Sequence, residues 1–291
     1  MVISRAVSIA LIIVVLLIAV VGIVLIIGAR RWQAQTDELH RQLTEGRRGA
    51  RGETYDRRML DSLPVPVQSY LEKVLTPGQP IVSAVAIDHS GTFNMSDSSG
   101  EEAQWRPFRS SQRVVIDRPG FVWDGRVAVA PGLRAHVHDA YVAGTGILHV
   151  ALGGLITVAD MRETPEIAAG ELMRFLAEAT WYPTALLPGE GVTWTDVDAG
   201  SADATIVDGD TSVTLRFHFG ADDLIERVTA AGRPRAVGST TEPTPWEGRF
   251  SGYEERAGML VPMDGDVAWL LPHGRQSYWR GHIERVAYEF R

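Results

Sequence analysis

Ala202-Asp-Ala-Thr-Ile-Val-Asp-Gly-Asp-Thr-Ser-Val-Thr-Leu-Arg-Phe-His-Phe219 decides the fold of this chain. Two runs, Ala202–Asp208 and Ser212–Phe219, alternate with a period of two, which is the period of a strand with one buried face. Asp208-Gly209 between them has hairpin chemistry, because Gly takes positive φ without steric cost. A connection this short forces the two strands to be antiparallel neighbours.

The same period runs through most of the chain. From Ile81 onward it predicts strands at Val82–Asp88, Gln112–Asp117, Gly120–Val129, Arg134–Ala143 and Gly146–Leu152. It resumes at Val192–Asp198 and, beyond the opening hairpin, at Ile225–Arg233, Trp246–Arg256, Met259–Pro262, Asp266–Leu271 and Tyr278–Phe290. Gly220-Ala-Asp-Asp223 and Arg256-Ala-Gly258 read as further hairpin turns. No strand–helix alternation is present, which argues against a parallel α/β sheet. The expected fold is mainly β (α+β): one large, strongly curved antiparallel sheet or half-barrel, with one or two helices on its concave side.

Two segments carry the helical period. In Leu63-Pro-Val-Pro-Val-Gln-Ser-Tyr-Leu-Glu-Lys-Val-Leu75, Pro66 suits a first helical turn, and Val67, Tyr70, Leu71 and Val74 share a face. In Gly170-Glu-Leu-Met-Arg-Phe-Leu-Ala-Glu-Ala-Thr-Trp-Tyr-Pro183, Leu172, Phe175, Leu176 and Ala179 share a face. Glu171, Arg174 and Glu178 form a second stripe beside it.

A third helical segment comes first in the chain. Between Arg5 and Arg30 there is no charge, and Ile9 to Ile27 is almost entirely Ile, Val, Leu and Ala. An apolar run on the order of 20 residues matches a single transmembrane helix. A cleaved signal peptide is the competing reading. Its apolar core is shorter, about 7–15 residues, and Ile27-Gly-Ala29 fits its cleavage pattern poorly. The organisation read from the sequence is therefore an anchor over residues 1–29, a basic juxtamembrane linker over 30–58 that begins as a helix and loosens around Gly46 to Gly52, and a single β-rich domain over 59–291. Arg30, Arg31, Arg41, Arg47, Arg48 and Arg51 follow the span, whereas only Arg5 and the amino group precede it. That bias favours a cell-membrane protein with its domain on the cytoplasmic side.

Charge narrows the function. Residues 1–58 hold nine Arg and five acids, a net of +4; the whole chain is −8, so residues 59–291 carry −12. An acidic domain lacks the basic footprint that nucleic-acid binding needs. The chain has no cysteine, which excludes disulfides, thiolate nucleophiles and Cys-ligated zinc. Arginine outnumbers lysine 27 to 1, a bias of GC-rich coding rather than of phosphate recognition. Phosphate-loop, zinc-protease and nucleophile-elbow motifs are absent, and no cofactor is implied.

Three groups of residues could carry chemistry. His136 and His138 share one strand face at a spacing that can bind a metal, but they make half a site and need a third ligand such as Glu171 or Glu178. Trp105, Trp123, Trp181 with Tyr182, and Trp246 stand beside proline or glycine; they are either core or the lining of a cavity for an apolar ligand. Glu171, Arg174 and Glu178 are either an ion-paired surface stripe or the rim of that cavity. In the second case burial would raise a carboxylate pKa toward acid–base work, and Arg174 would suit an acidic headgroup.

Several phrases together resemble an uncharacterised bacterial family, a domain of unknown function that often follows a membrane anchor: Leu63-Pro-Val-Pro-Val67, Trp105-Arg-Pro-Phe108, Pro119-Gly-Phe-Val-Trp123, Asp139-Ala-Tyr-Val-Ala-Gly-Thr-Gly146, Trp181-Tyr-Pro183 and Pro245-Trp246. Arg118-Pro-Gly-Phe-Val-Trp123 also looks like the phrase that opens the sheet in outer-membrane lipoprotein carriers. That likeness implies an open half-barrel over helices that binds acyl chains. Three functions follow. The first is membrane-anchored, non-enzymatic binding of a lipid or other apolar ligand. The second is a hydrolase-type enzyme using Glu171 or Glu178. The third is a structural partner of another membrane protein, favoured if the inner face is dry and fully packed.

Overall fold

The computed structural model describes residues 5–45, 47, 52–96, 103–237 and 240–291. Most of the loosening expected around Gly46 to Gly52 lies outside the described residues. Thirteen strands form a single antiparallel sheet: β1 (Val82–Asn94), β2 (Trp105–Val115), β3 (Gly120–Ala130), β4 (Leu133–Val142), β5 (Thr145–Leu152), β6 (Ile156–Arg162), β7 (Val192–Asp198), β8 (Ser201–Asp208), β9 (Thr211–Phe219), β10 (Ile225–Val237), β11 (Thr240–Arg256), β12 (Met259–Leu271) and β13 (Gly274–Phe290). Their spatial order is β6-β5-β4-β3-β2-β1-β13-β12-β11-β10-β9-β8-β7. Two meanders thus meet along β1 and β13, where Val85 faces Tyr288 and Ile87 faces Val286.

The mainly antiparallel fold is as the alternation requires, and the opening hairpin pairs Asp208 with Thr211 around Gly209 at φ 57°. Three details differ from the sequence reading. The runs at Met259–Pro262 and Asp266–Leu271 are one strand, because Gly265 continues the pleat between them. Strand β2 begins at Trp105 and not at Gln112. Strand β6 goes unread from the sequence, because it is an edge strand whose residues are largely exposed and lack alternating burial.

Twist makes this sheet a half-barrel. Nine strand steps separate β4 from β8, and at roughly 20° each they turn the second edge about half a revolution around the first. The two ends approach closely enough for Tyr141 on β4 to donate to Asp208 Oδ2 on β8 at 2.8 Å. Helix α3 (Pro165–Glu178), capped by Thr164 accepting from the Ile167 amide, bridges the mouth. It packs against β3, β4 and β5 on one side and β9 and β10 on the other. Two 3-10 turns, Ala179–Trp181 and Pro183–Leu186, continue it toward β7. Helix α2 (Val65–Val74) buries Val67, Tyr70, Leu71 and Val74 against β8 and β12, the face its spacing predicts.

Helix α1 runs without a break from Arg5 to Thr44. Its apolar half is exposed from Val7 to Ile27, and it is long and apolar enough to cross a membrane. The segment read as a basic juxtamembrane linker is helical as far as Thr44, and one stripe of it (Trp32, Thr36, Leu39 and Leu43), continuing from Gly28 on the β5–β6 turn, is buried against the outer face of β2–β4. Leu39 and Leu43 join Ala84, Val115, Val122, Ala140, Val142 and Ile147 in a small core outside the sheet. The large core lies inside it, between the sheet, α2 and α3.

Candidate functional site: the charged aromatic layer under helix α3

The stripe of Glu171, Arg174 and Glu178 does not face water. Both glutamates are more than nine-tenths buried. The Arg174 guanidinium donates from Nε to Glu178 Oε1 at 2.7 Å, from Nη1 to Asp139 Oδ2 at 2.5 Å and from Nη2 to Gln112 Oε1 at 3.1 Å. Gln112 in turn donates to Glu178 Oε2 at 2.6 Å. The cation also lies 4.8 Å from the ring centre of Phe121 and 5.5 Å from that of Trp123. Gln112, Phe121, Trp123 and Asp139 belong to β2, β3 and β4, and strand alternation turns all four inward.

A second buried cation lies across the mouth on β10. Arg233 donates to the Gly170 carbonyl at 3.3 Å and to Tyr278 Oη at 2.9 Å, and it stands 3.8 Å from Glu171 Oε1. Tyr278 Oη also accepts from Trp246 Nε1 at 2.9 Å. Glu171 therefore sits between the two clusters. Burial pushes its carboxyl well above the usual carboxylate range, and the neighbouring Asp139 charge adds to the shift against the pull of Arg233 and Arg174. Glu171 Oε2 and Asp139 Oδ1 are both buried without a hydrogen-bond partner. A proton held on Glu171 and shared with Asp139 would satisfy both oxygens.

Beyond this centre the inner face is lined with rings. Trp123 packs on Phe108 at 5.9 Å between ring centres, Phe108 on Trp279 at 5.6 Å, Trp279 on His89 at 5.9 Å, His89 on Trp181 at 5.1 Å, and Trp181 on Phe250 at 6.1 Å. Burial, and next the positive charge of Arg174, lower the His89 pKa to about 3, so its ring is neutral. The indole nitrogens of Trp123 and Trp181 and the Nε2 of His89 are buried and lack a hydrogen-bond partner in the protein.

The sequence candidates thus separate into two groups. Trp123, Arg174, Trp181, Tyr182, Trp246, Glu171 and Glu178 all come together beneath or within α3, and Tyr182 is locked there by donating to the Phe175 carbonyl at 2.9 Å. Trp105 does not join them. Its side chain lies on the outer face, under the Arg280 guanidinium at 4.3 Å. His136 and His138 are also on the outer face, on the opposite side of the sheet from Glu171 and Glu178, so neither glutamate can complete a metal site with them. Their partner is α1: Trp32 stacks on His138 at 3.9 Å and meets His136 edge-on at 5.3 Å, and Thr36 Oγ1 hydrogen-bonds His138 Nε2 at 2.7 Å. Trp32 Nε1 donates to Asp124 Oδ1 at 2.8 Å. Among the described residues no three His, Asp or Glu side chains are grouped to hold a metal.

A family model matches residues 61–288, most of the chain and nearly all of the sheet. The chain belongs to the family of unknown function DUF6920. Two solved structures are similar to this DUF6920 chain. One is a domain assigned to outer membrane lipoprotein sorting from Vibrio parahaemolyticus, at 10% identity over 71% of this chain and 86% of that one, with a TM-score of 0.39. The other is a LolA superfamily protein from Nitrosomonas europaea, at 10% identity over 77% and 93%, also with a TM-score of 0.39. No curated protein matches the sequence.

One signal in this DUF6920 chain escapes the reading of aromatics one by one. Trp123-Asp-Gly125, Trp246-Glu-Gly248 and Trp279-Arg-Gly281 repeat the pattern Trp-x-Gly. Residues two apart face the same side of a strand, and here that side is inward. In each case a β-carbon on the glycine would run into the indole of the tryptophan before it. The rings lie flat along their own strands, and the residue between, Asp124, Glu247 or Arg280, points outward into an ion pair. A wide ring takes the place of two side chains in the inner layer, so the sheet can curl tightly with its concave side still filled.

Proposed function

We propose that this chain is a membrane-anchored binding module whose helix α3 parts from the filled inner face of the sheet to admit an apolar molecule with a neutral polar end. One observation carries the proposal: the Trp123 and Trp181 indole N–H groups and His89 Nε2 are buried among aromatic rings without partners in the protein. Buried polar groups are hydrogen-bonded in the great majority of cases, so several orphans in one apolar layer point to a guest that supplies an oxygen. The donors of Arg174 are already engaged by Glu178, Asp139 and Gln112. An acidic headgroup would have to displace a carboxylate, which favours an ester or alcohol over a free acid.

The test uses full-length protein in detergent micelles and brominated acyl chains as quenchers of tryptophan fluorescence. A brominated monoacylglycerol should quench more strongly than the corresponding fatty acid. Trp181→Phe keeps a six-membered aromatic ring and removes the N–H; it should weaken the ester, and the smaller ring should also lower the melting temperature by a few degrees, whereas Trp194→Phe, away from the layer, should leave ester binding unchanged. Equal and negligible quenching by both compounds would end this reading.

A second reading rests on Glu171, whose raised pKa and unpartnered oxygen suit a general acid. Glu171→Gln separates the two: it abolishes turnover of an acyl ester if the site is catalytic and leaves ester binding intact if it is not.

A further inference from the structure

The end of the apolar span touches the sheet at one place. A β-carbon at Gly28 would come 2.8 Å from Leu155 Cγ, and one at Gly154 would come 2.8 Å from the Gly28 carbonyl oxygen. Helix α1 and the β5–β6 turn, Gly153-Gly154-Leu155, therefore meet almost backbone to backbone. The β3–β4 turn lies beside it, since the Gly153 amide donates to the Arg134 carbonyl at 2.9 Å. From this point α1 follows the strands away from the span, with Trp32 at Asp124 and Leu43 at Gly120 near the start of β3. The exposed apolar half of α1 extends in the opposite direction, past the two turns.

Those turns are apolar where they have no reason to be. Ile156 is 66% exposed, Val158 55% and Leu133 36%. Few large apolar side chains outside α1 are this exposed, and these three cluster at the level where the uncharged run gives way to Arg30 and Arg31. Exposed apolar groups in one patch mark a contact surface. Their continuity with the end of a bilayer-length helix names the surface they contact.

We infer that the tips of the β3–β4 and β5–β6 hairpins, through Leu133, Leu155, Ile156 and Val158, lie in the interfacial layer of the bilayer that α1 crosses. The inference rests on α1 being a retained anchor and is independent of what the inner face binds. Side chains of this kind enter the headgroup and acyl boundary to a depth of about 5–10 Å, and the exposed Arg134 beside them suits lipid phosphate. The docked stripe of α1 makes the span and the sheet one rigid piece. The strands of β3–β5 then stand on the membrane on their hairpin tips, with the Ala143-Gly144 turn at the distal end.

The chain has no cysteine, so single labels are available without further substitution. Ile18→Cys in the span, Leu133→Cys, Ile156→Cys and, as the distal control, Ala143→Cys are each labelled with a nitrobenzoxadiazole dye. The full chain is reconstituted into phosphatidylcholine–phosphatidylglycerol vesicles with and without lipids spin-labelled near the headgroup. Labels at 133 and 156 should shift to the blue and lose most of their emission to the quencher lipid, while the label at 143 should do neither. If 18 is quenched and 133 and 156 behave like 143, the anchor stands and the hairpin contact is refuted. If 18 itself is not quenched, the anchor reading fails and takes the inference with it. Labels at 133 and 156 that are shielded from aqueous iodide but untouched by quencher lipid would place a protein there and overturn the bilayer contact.

Discussion

The indole of Trp279 covers Gly281, two residues along the same strand, and its edge also lies where a β-carbon on Gly265 of the neighbouring strand would point, at 3.1 Å. The ring occupies the space of two side chains, and glycine is the residue that leaves that space free. Gly281→Ala should therefore overpack the inner layer and cost about 1–3 kcal/mol, read as a lower urea midpoint with an unchanged slope. In a Trp279→Leu background the same change should cost much less. The two substitutions share one contact, so their effects should depart from additivity. Additive losses would mean that the glycine is there for its backbone and not for the ring.

Removing the Arg174 guanidinium leaves Asp139 and Glu178 buried without their cation. Arg174→Ala should cost about 3–5 kcal/mol by equilibrium unfolding, because a broken buried pair leaves an uncompensated charge. Arg41→Ala breaks a pair with Glu38 that is open to water, and should leave the midpoint where it was. Matching small effects at both positions would show that water reaches Arg174.

Glu171 makes stability depend on pH with a definite sign. Its folded pKa is raised above the unfolded value, so the folded state holds the proton longer. Below the ordinary glutamate range both states are protonated and the contribution is complete. As pH rises toward the folded pKa only the unfolded state ionises, and stability falls with a limiting slope of about 1.4 kcal/mol per pH unit. Glu171→Gln should remove this slope, so the variant gains on the parent between pH 5 and neutrality in a series of melts. Parallel curves for the two proteins would mean that Glu171 is ionised in the fold.

Periodicity reaches as far as the local backbone does. The runs at Val192–Asp198 and Gly146–Leu152 become strands because alternation is a property of one strand and its own burial. Helix α2 buries the residues its spacing selects for the same reason. What periodicity leaves open is which face is inside and what lies opposite. Trp105 and Trp123 look alike in sequence, yet the pleat places Trp105 outside under Arg280 and Trp123 inside under Arg174. Glu171 and Glu178 read as well as a surface stripe as a buried one, because the sheet that buries them is brought over the helix by twist accumulated across many strands. Two further signals in the sequence do resolve faces. The Trp-x-Gly repeat gives a ring and a gap on one face. The spacing Trp32, Thr36, Leu39, Leu43, continued from Gly28, gives a docking stripe in a segment whose charge reads as a linker.

That stripe supplies a fourth expectation. Trp32 is fully buried between Asp124, His138 and His149, with Arg126 over its ring at 5.6 Å. Trp32→Ala removes about as much packing as a single substitution can, about 3–5 kcal/mol when a tryptophan is lost from a core. It should free this part of α1 from the sheet. Trypsin should then cut after Arg31 and Arg41 much faster than in the parent, while the sheet itself melts at nearly its former temperature. Unchanged cleavage would mean that Leu39 and Leu43 hold the helix alone.

The seam between β1 and β13 has a consequence in time. Every other adjacent pair in the sheet joins consecutive strands, so each can zip up from its own turn as soon as both strands exist. The seam joins Val82 to Phe290 and closes a loop of some two hundred residues. During synthesis the first meander and helix α1 are complete while the second meander is still being made. Until the final strand emerges, β1 is a bare edge on that half-sheet, and bare edges recruit foreign strands. The slow, aggregation-prone step of folding is then a single zipper, and its window ends when β13 leaves the ribosome. Lesions that delay β13 without touching Tyr278, Trp279 or Tyr288 would act on yield and leave the finished protein unchanged.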